Sequence, residues 1–309
     1  MKKIWSSIKP YLRWVILGTT MFFLVKAFKD HWQEVAEIRI DAAGWIILTI
    51  AFSITLLAHI WAGLVWGWIL RSFNQPVQYR WVLQVYLKTN VAKYLPGNVW
   101  HYYGRIWAVT DTGGSLGAAT ISVLLEPLLM AAAALLIALT GTQLGWVNTR
   151  GNAWTWGLQI LSLGVVCFAV HPRVLNPVLQ LLSRLKSKAA ATEVFQIEHY
   201  PFVPLLGELG FLGLRGTGFL VTVGALTAVH PSQILLLFSA FSLAWVLGLV
   251  IPTPGGLGVF EASAIALLDQ HFSTGVILSV VALFRLVSIL AEVVGAGVSV
   301  LSDRLGGTQ

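Results

Sequence analysis

Apolar residues run along this chain in long blocks separated by short polar breaks. A helix that crosses the hydrocarbon core of a bilayer needs about 20 mostly apolar residues. Seven blocks approach or exceed that length: Tyr11–Ala27, Trp45–Leu70, Leu116–Thr140, Ala153–Val170, Phe202–Val229, Ser232–Ile251 and Thr274–Leu301. Two further segments are apolar but interrupted. Trp81–Val109 carries Lys88, Lys93, His101 and Arg105 and breaks at Pro96-Gly97. Pro252–Gln270 opens on two prolines and a Gly-Gly pair, then runs apolar only briefly. The pattern predicts an all-α, polytopic transmembrane bundle of about seven or eight spanning helices plus two re-entrant or broken Pro/Gly segments. Residues 1–309 are expected to form a single integral membrane domain, because no stretch has the composition of a soluble one.

The longest polar interruption covers about residues 172–200. Val174, Leu175, Val178, Leu179, Leu181, Leu182 and Leu185 recur there at near-helical spacing beside basic residues. That fits an amphipathic helix lying on the cytoplasmic leaflet, or a plain connecting helix.

Composition strengthens the membrane reading. Hydrophobic residues make up 57% of the chain and charged residues 11%, against about 25% charged in a typical soluble domain. Mean hydropathy is +0.77. A soluble protein of this length has too little interior to hide that much apolar surface. The single cysteine, Cys167, excludes an intrachain disulfide framework and a cysteine-based metal cluster. Neither a cofactor nor a metal site is expected. The net charge of +7 lacks a folded basic face that would bind nucleic acid. Membrane topology and attraction to anionic lipid account for it better.

The start, Met1-Lys2-Lys3 before an apolar run, resembles a secretory signal but lacks a small-x-small cleavage site, so an uncleaved signal-anchor helix is expected. Lys2, Lys3, Lys9 and Arg13 place the N-terminus in the cytoplasm, and the expected location is the plasma (inner) membrane. Arg71 and Arg80 bring the second block back inside, and Arg173, Arg184, Lys186 and Lys188 keep the 172–200 loop there. These assignments agree if Trp81–Val109 enters and leaves on the cytoplasmic side.

Candidate chemistry concentrates in the interruptions. Pro96 removes a backbone donor and Gly97 permits a turn, so a helix must stop between Asn90 and Arg105. Lys93 and Arg105 are costly in lipid unless paired or hydrated. With Tyr94 they suit a site for an anionic headgroup; the alternative is an interfacial loop whose cations snorkel to lipid phosphates. In the second interruption Pro254, Gly255, Gly256 and Gly258 precede Glu261 at the start of a short apolar helix. A broken-helix N-terminus can hold an anion, while Glu261 could equally serve as a capping carboxylate. A Pro/Gly interruption in each half of a transporter-like chain points to a binding site. The remaining intramembrane charges are Glu126, the pair Glu208 and Arg215, and the pair Arg285 and Glu292. Each pair is seven residues apart on one helix face. They read either as a polar pathway or as structural ion pairs. The seven histidines show no metal-ligand spacing.

Asn90…Tyr94-Leu95-Pro96-Gly97…Arg105, Ser122-Val123-Leu124-Leu125-Glu126, Pro252-x-Pro254-Gly255-Gly256-Leu257-Gly258-x-x-Glu261-Ala262 and Arg285 together carry a family resemblance. At these positions the chain resembles the transmembrane region of lysylphosphatidylglycerol synthases. The resemblance implies lipid handling by a module that moves a phospholipid between leaflets. In that family aminoacyl transfer resides in a separate soluble domain, so no enzyme activity is expected of these residues. One departure is Pro127 after Glu126, where relatives often carry Arg; the ion pair expected there is either missing or supplied elsewhere.

The leading expectation is a transporter or flippase of a phospholipid or lipid-linked substrate. Its expected partners are membrane lipids with an anionic headgroup, and a homo-oligomer stays open. The alternative is a membrane-embedded enzyme or accessory subunit in envelope lipid or polysaccharide synthesis. Short loops argue against autonomous catalysis.

Overall fold

Asp41 opens the first long helix, its carboxylate accepting the Gly44 N–H at 2.7 Å. That satisfies one of the orphan donors at a helix N-terminus. From there the computed structural model is all helix and connection; it describes residues 39–75, 77–94, 99–143, 153–186, 196–251 and 258–306, with Lys29, Gln33 and Ala36. Among these residues there are ten α-helices and no strand. The expected span at Tyr11–Ala27 lies outside the described residues, as do Pro96, Gly97, Pro254, Gly255 and Gly256.

Helix α1 (Ala42–Ser72) is long and apolar. It stops where Asn74 turns left-handed at φ 55°, a conformation asparagine tolerates. The Trp81–Val109 segment becomes α2 (Tyr79–Asn90), a 3-10 turn (Val91–Tyr94) and α3 (Trp100–Asp111). Each of the two helices has 12 residues, or about 18 Å, too short for about 30 Å of hydrocarbon. They pack against each other, with Arg105 Nε 3.4 Å from Thr89 Oγ1. The segment is therefore a hairpin of two half-length helices.

Helix α4 (Leu116–Gln143) runs through Pro127, which offers no N–H to the carbonyl one turn earlier. Helices α5 (Ala153–Ala169) and α6 (Pro172–Lys186) meet at a 62° bend. Leu175 and Leu179 of α6 are buried in the bundle, while Leu181 is exposed. Helix α7 (Phe202–Gly224) follows, then α8 (Pro231–Val250), where Pro231 occupies the first turn and needs no partner for its missing N–H. The second interruption leads into α9 (Val259–Leu268), a ten-residue helix packed on α8. Helix α10 (Thr274–Gly306) closes the chain.

Five helices are long and apolar enough to cross a membrane: α1, α4, α7, α8 and α10; the bent pair α5–α6 makes a sixth if it counts as one span. The protein is thus a polytopic transmembrane helix bundle. Its exposed face carries apolar side chains, such as Ile46, Ile50 and Leu57 on α1 and Leu290, Val294 and Val298 on α10. In lipid these need no cover. The most extensive helix contact is α1 on α7. It depends on Gly207, where an added Cβ would stand 2.7 Å from Val65 Cγ2 and 2.8 Å from Trp68. The Gly207 carbonyl accepts Trp61 Nε1–H at 2.8 Å. Close backbone approach at small residues is how helices associate where lipid is as apolar as leucine.

Candidate functional site

The polar side chains of the bundle separate into two groups at different places. One is a sealed network behind the first hairpin. Glu126 on α4 accepts Arg105 Nη1–H at 2.6 Å and Tyr86 O–H at 2.7 Å. The Arg105 guanidinium also lies 3.8 Å over the Tyr86 ring. Trp66 of α1 stacks nearby and donates Nε1–H to Ser122 Oγ at 3.2 Å. Arg105, Glu126 and Trp66 are all buried. A charge-assisted, fully buried pair of this kind holds helices α1 to α4 in one register. The partner that Pro127 does not provide is thus Arg105, from the neighbouring hairpin. Asn90 is buried at the C-terminal end of α2.

Glu208 of α7 is fully buried with Glu126 and Arg105 as its electrostatic neighbours. Neither of its carboxyl oxygens has a hydrogen-bond partner among the described residues.

The second group lines a cavity of about 230 Å³. The first hairpin contributes Lys93 and Tyr94 from its 3-10 turn and His101 and Tyr102 from α3. From α7 comes Arg215, from the end of α8 Trp245, Gly248 and Leu249, and from α9 Phe260. Helix α10 supplies Phe284, Arg285, Ser288, Ile289 and Glu292. These recur every three or four residues, which is one face of a helix. Both interrupted segments therefore reach one cavity.

Two ion pairs tie the interruptions to α10. Lys93 Nζ lies 2.5 Å from Glu292 Oε1, and His59 Nε2 of α1 lies 3.2 Å from the same oxygen. Arg285 pairs with Glu261 through its Nε, and its Nη2 donates to Glu261 Oε2 at 3.1 Å. Glu261 also accepts the Gly258 N–H at 2.6 Å. Gly258 holds a left-handed φ of 78° at the start of α9, which favours glycine. One carboxylate thus caps the broken helix and neutralises α10's arginine.

The floor of the cavity is aromatic. Phe284 and Phe260 pack against Phe219 and Phe241, with Phe219–Phe284 centroids 5.4 Å apart and Phe241–Phe260 5.8 Å apart. Trp245 lies 5.7 Å from Phe241. Arg215 spreads across this floor, 4.7 Å from the Phe284 ring and 5.2 Å from Trp245.

Of the residues expected at a site, Lys93, Tyr94 and Arg285 line the cavity, and Glu261 with Gly258 supports it from behind. Arg105 and Glu126 lie in the sealed network. Arg215, Glu292, Trp245 and the His101–Tyr102 pair also line the cavity. Arg215 and Glu292 were visible in the sequence only as charges in apolar helices. The aromatic residues had no distinguishing signal in so tryptophan-rich a chain. Among the described residues no group of three or more His, Cys, Asp or Glu side chains is arranged to hold a metal ion.

The family model described as Lysylphosphatidylglycerol synthase TM region matches residues 11–295. The chain belongs to that family. The match takes in both interruptions and every cavity-lining residue. The protein is accordingly an integral membrane protein of a family named for lipid chemistry. No curated protein matches the chain.

Proposed function

We propose that this protein moves a phospholipid or lipid-linked substrate across the membrane, as a flippase. The reading is carried by one observation: two interrupted segments, far apart in sequence, line one cavity whose charged wall is the middle of spanning helix α10. Irregular backbone at membrane depth is tolerated where it borders protein or a polar cavity, and transporters place their binding sites there. The cavity can take a polar headgroup but not two acyl chains. Leu249 and Ile289 line it and are also partly exposed on the lipid-facing surface, each at 39%. A lipid can thus insert its headgroup while its tails stay in the bilayer.

The Lys93–Glu292 and Arg285–Glu261 pairs are the contacts that hold each interruption against α10. Exchanging one of these partners for a substrate phosphate or ammonium group would release that interruption and open the cavity on its side. Only differential binding to the two arrangements can drive such a change. In this reading the N-terminus and α6 are cytoplasmic and the protein resides in the plasma (inner) membrane, as the distribution of Lys and Arg supports.

The test is reconstitution into liposomes carrying headgroup-labelled phospholipids. Purified protein is expected to speed the exposure of inner-leaflet label to a membrane-impermeant quencher. Lys93→Ala and Glu261→Ala are expected to slow it strongly. Unchanged transport by both variants would remove the cavity from the mechanism.

A further inference from the structure

Arg215 differs from the other cations of the cavity. Lys93 is matched by Glu292 and Arg285 by Glu261. Arg215 has no carboxylate within 4.0 Å among the described residues. Its Nη1 donates to Ser288 Oγ at 3.0 Å. Its Nε–H meets no acceptor among the described residues. The residue is only 4% exposed, and it lines the cavity. A buried guanidinium with no carboxylate in direct contact, Glu292 acting on it only from a distance, is expensive in a membrane interior. An anion entering the cavity beside it would balance the charge, and the planar fork of a guanidinium suits phosphate.

The surrounding charges point the same way. Three cations, Lys93, Arg215 and Arg285, stand against two carboxylates, Glu292 and Glu261, leaving one positive charge for a ligand to balance. A cationic headgroup would need an available carboxylate. Glu261 is held by Arg285 and the Gly258 N–H, so such a headgroup would have to draw Glu292 Oε1 from Lys93 or reach its buried Oε2, which meets no donor among the described residues.

We propose that Arg215 anchors a single anionic phosphate, and that the cavity therefore selects phosphate-bearing ligands of net negative charge over zwitterionic and cationic ones. Trp245 and Phe284 lie against the guanidinium, their ring centroids 5.2 Å and 4.7 Å from it, and limit where it can move. The charge preference follows from the cavity alone; assigning the phosphate to a lipid headgroup rests on the transport reading.

The experiment measures binding by the purified full-length protein in a neutral detergent. The probes are short-chain phosphatidylglycerol, phosphatidylcholine and lysylphosphatidylglycerol of equal chain length, with inorganic phosphate as a fourth. The wild type is expected to prefer phosphatidylglycerol over both other lipids by about tenfold, because all three carry the phosphate and only phosphatidylglycerol brings no cationic group to the surplus positive charge. Arg215→Gln is expected to erase the preference and Arg215→Lys to keep part of it. Equal or tighter wild-type binding of the lysyl lipid overturns the proposal without any variant. So does a folded Arg215→Gln protein, judged by its melting curve, that keeps the full preference. Inorganic phosphate bound as tightly as the lipid supports the anchor but assigns its ligand to a free anion. Transport without headgroup preference would leave the flippase reading standing and remove this one. Selective binding without transport would do the reverse.

Discussion

Lys93 and Glu292 are 199 residues apart in the chain and form an ion pair at 2.5 Å. The lysine sits in the 3-10 turn of the first hairpin, and the carboxylate projects from the middle of α10. The lysine side chain is 26% exposed and the glutamate 1%. Losing the lysine leaves a buried carboxylate, whereas losing the glutamate leaves a cation that can still reach water.

That asymmetry gives the first prediction. Lys93→Gln is expected to lower the melting temperature in detergent more than Glu292→Gln. The double variant is expected to recover part of the loss. A double-mutant cycle on melting curves reads the pair directly, because the two residues share a contact. Strict additivity would mean that the pair contributes nothing.

Arg105 and Glu126 form a different kind of pair, sealed from solvent at both ends. Removing one member of a buried pair costs about 3–5 kcal/mol. Glu126→Ala and Arg105→Ala are therefore expected to unfold the bundle more readily than any change in the cavity. Tyr86→Phe deletes one hydrogen bond to the same carboxylate and should cost about 1–3 kcal/mol. Thermal unfolding in detergent ranks the three. If Arg105→Ala melts like the wild type, the network is not what registers α1 to α4.

At Glu261, capping and charge can be separated. Glu261→Gln keeps an oxygen that can accept the Gly258 N–H but removes the charge facing Arg285. Its melting temperature should fall less than that of Glu261→Ala, which also loses a cap worth about 1 kcal/mol. Lipid transport should fall in both. Transport retained by the glutamine variant alone would assign Glu261 to capping.

Glu208 is the reverse case: a buried carboxyl whose oxygens meet no donor among the described residues. Replacing such a group by an apolar one of similar size is neutral or stabilising. Glu208→Leu is expected to hold or raise the melting temperature. A transport defect in that stable variant would mark Glu208 as functional, on the principle that strained polar groups persist where activity needs them. A large loss of stability would show that the carboxyl has a partner on folding.

Gly207 tests the scaffold. A side chain there would strike Val65 and Trp68, and overpacking costs about 1–3 kcal/mol. Gly207→Val should lower the melting temperature, whereas Gly213→Ala on the same helix, with open space at its Cβ, should not.

The apolar pattern along the chain was enough to establish the solvent of this protein and most of its helices. Blocks such as Trp45–Leu70 and Thr274–Leu301 are so apolar that only a bilayer can accommodate them, and a helix is the only open segment that satisfies its own backbone in lipid. The sequence also located the interruptions, because proline and glycine act locally and leave the same mark in any fold. Charges on one helix could be placed on a common face, as with Arg285 and Glu292. Their partners could not be read. Arg285 meets Glu261 of α9, Glu292 meets Lys93 of the hairpin, and Glu126 takes its cation from α3 rather than from its own helix. These pairings cross between helices, and spacing along one helix carries no information about which neighbour stands opposite. Only the packing decided that Arg105 is sealed away while Arg215, seven residues from a glutamate it does not pair with, lines the cavity.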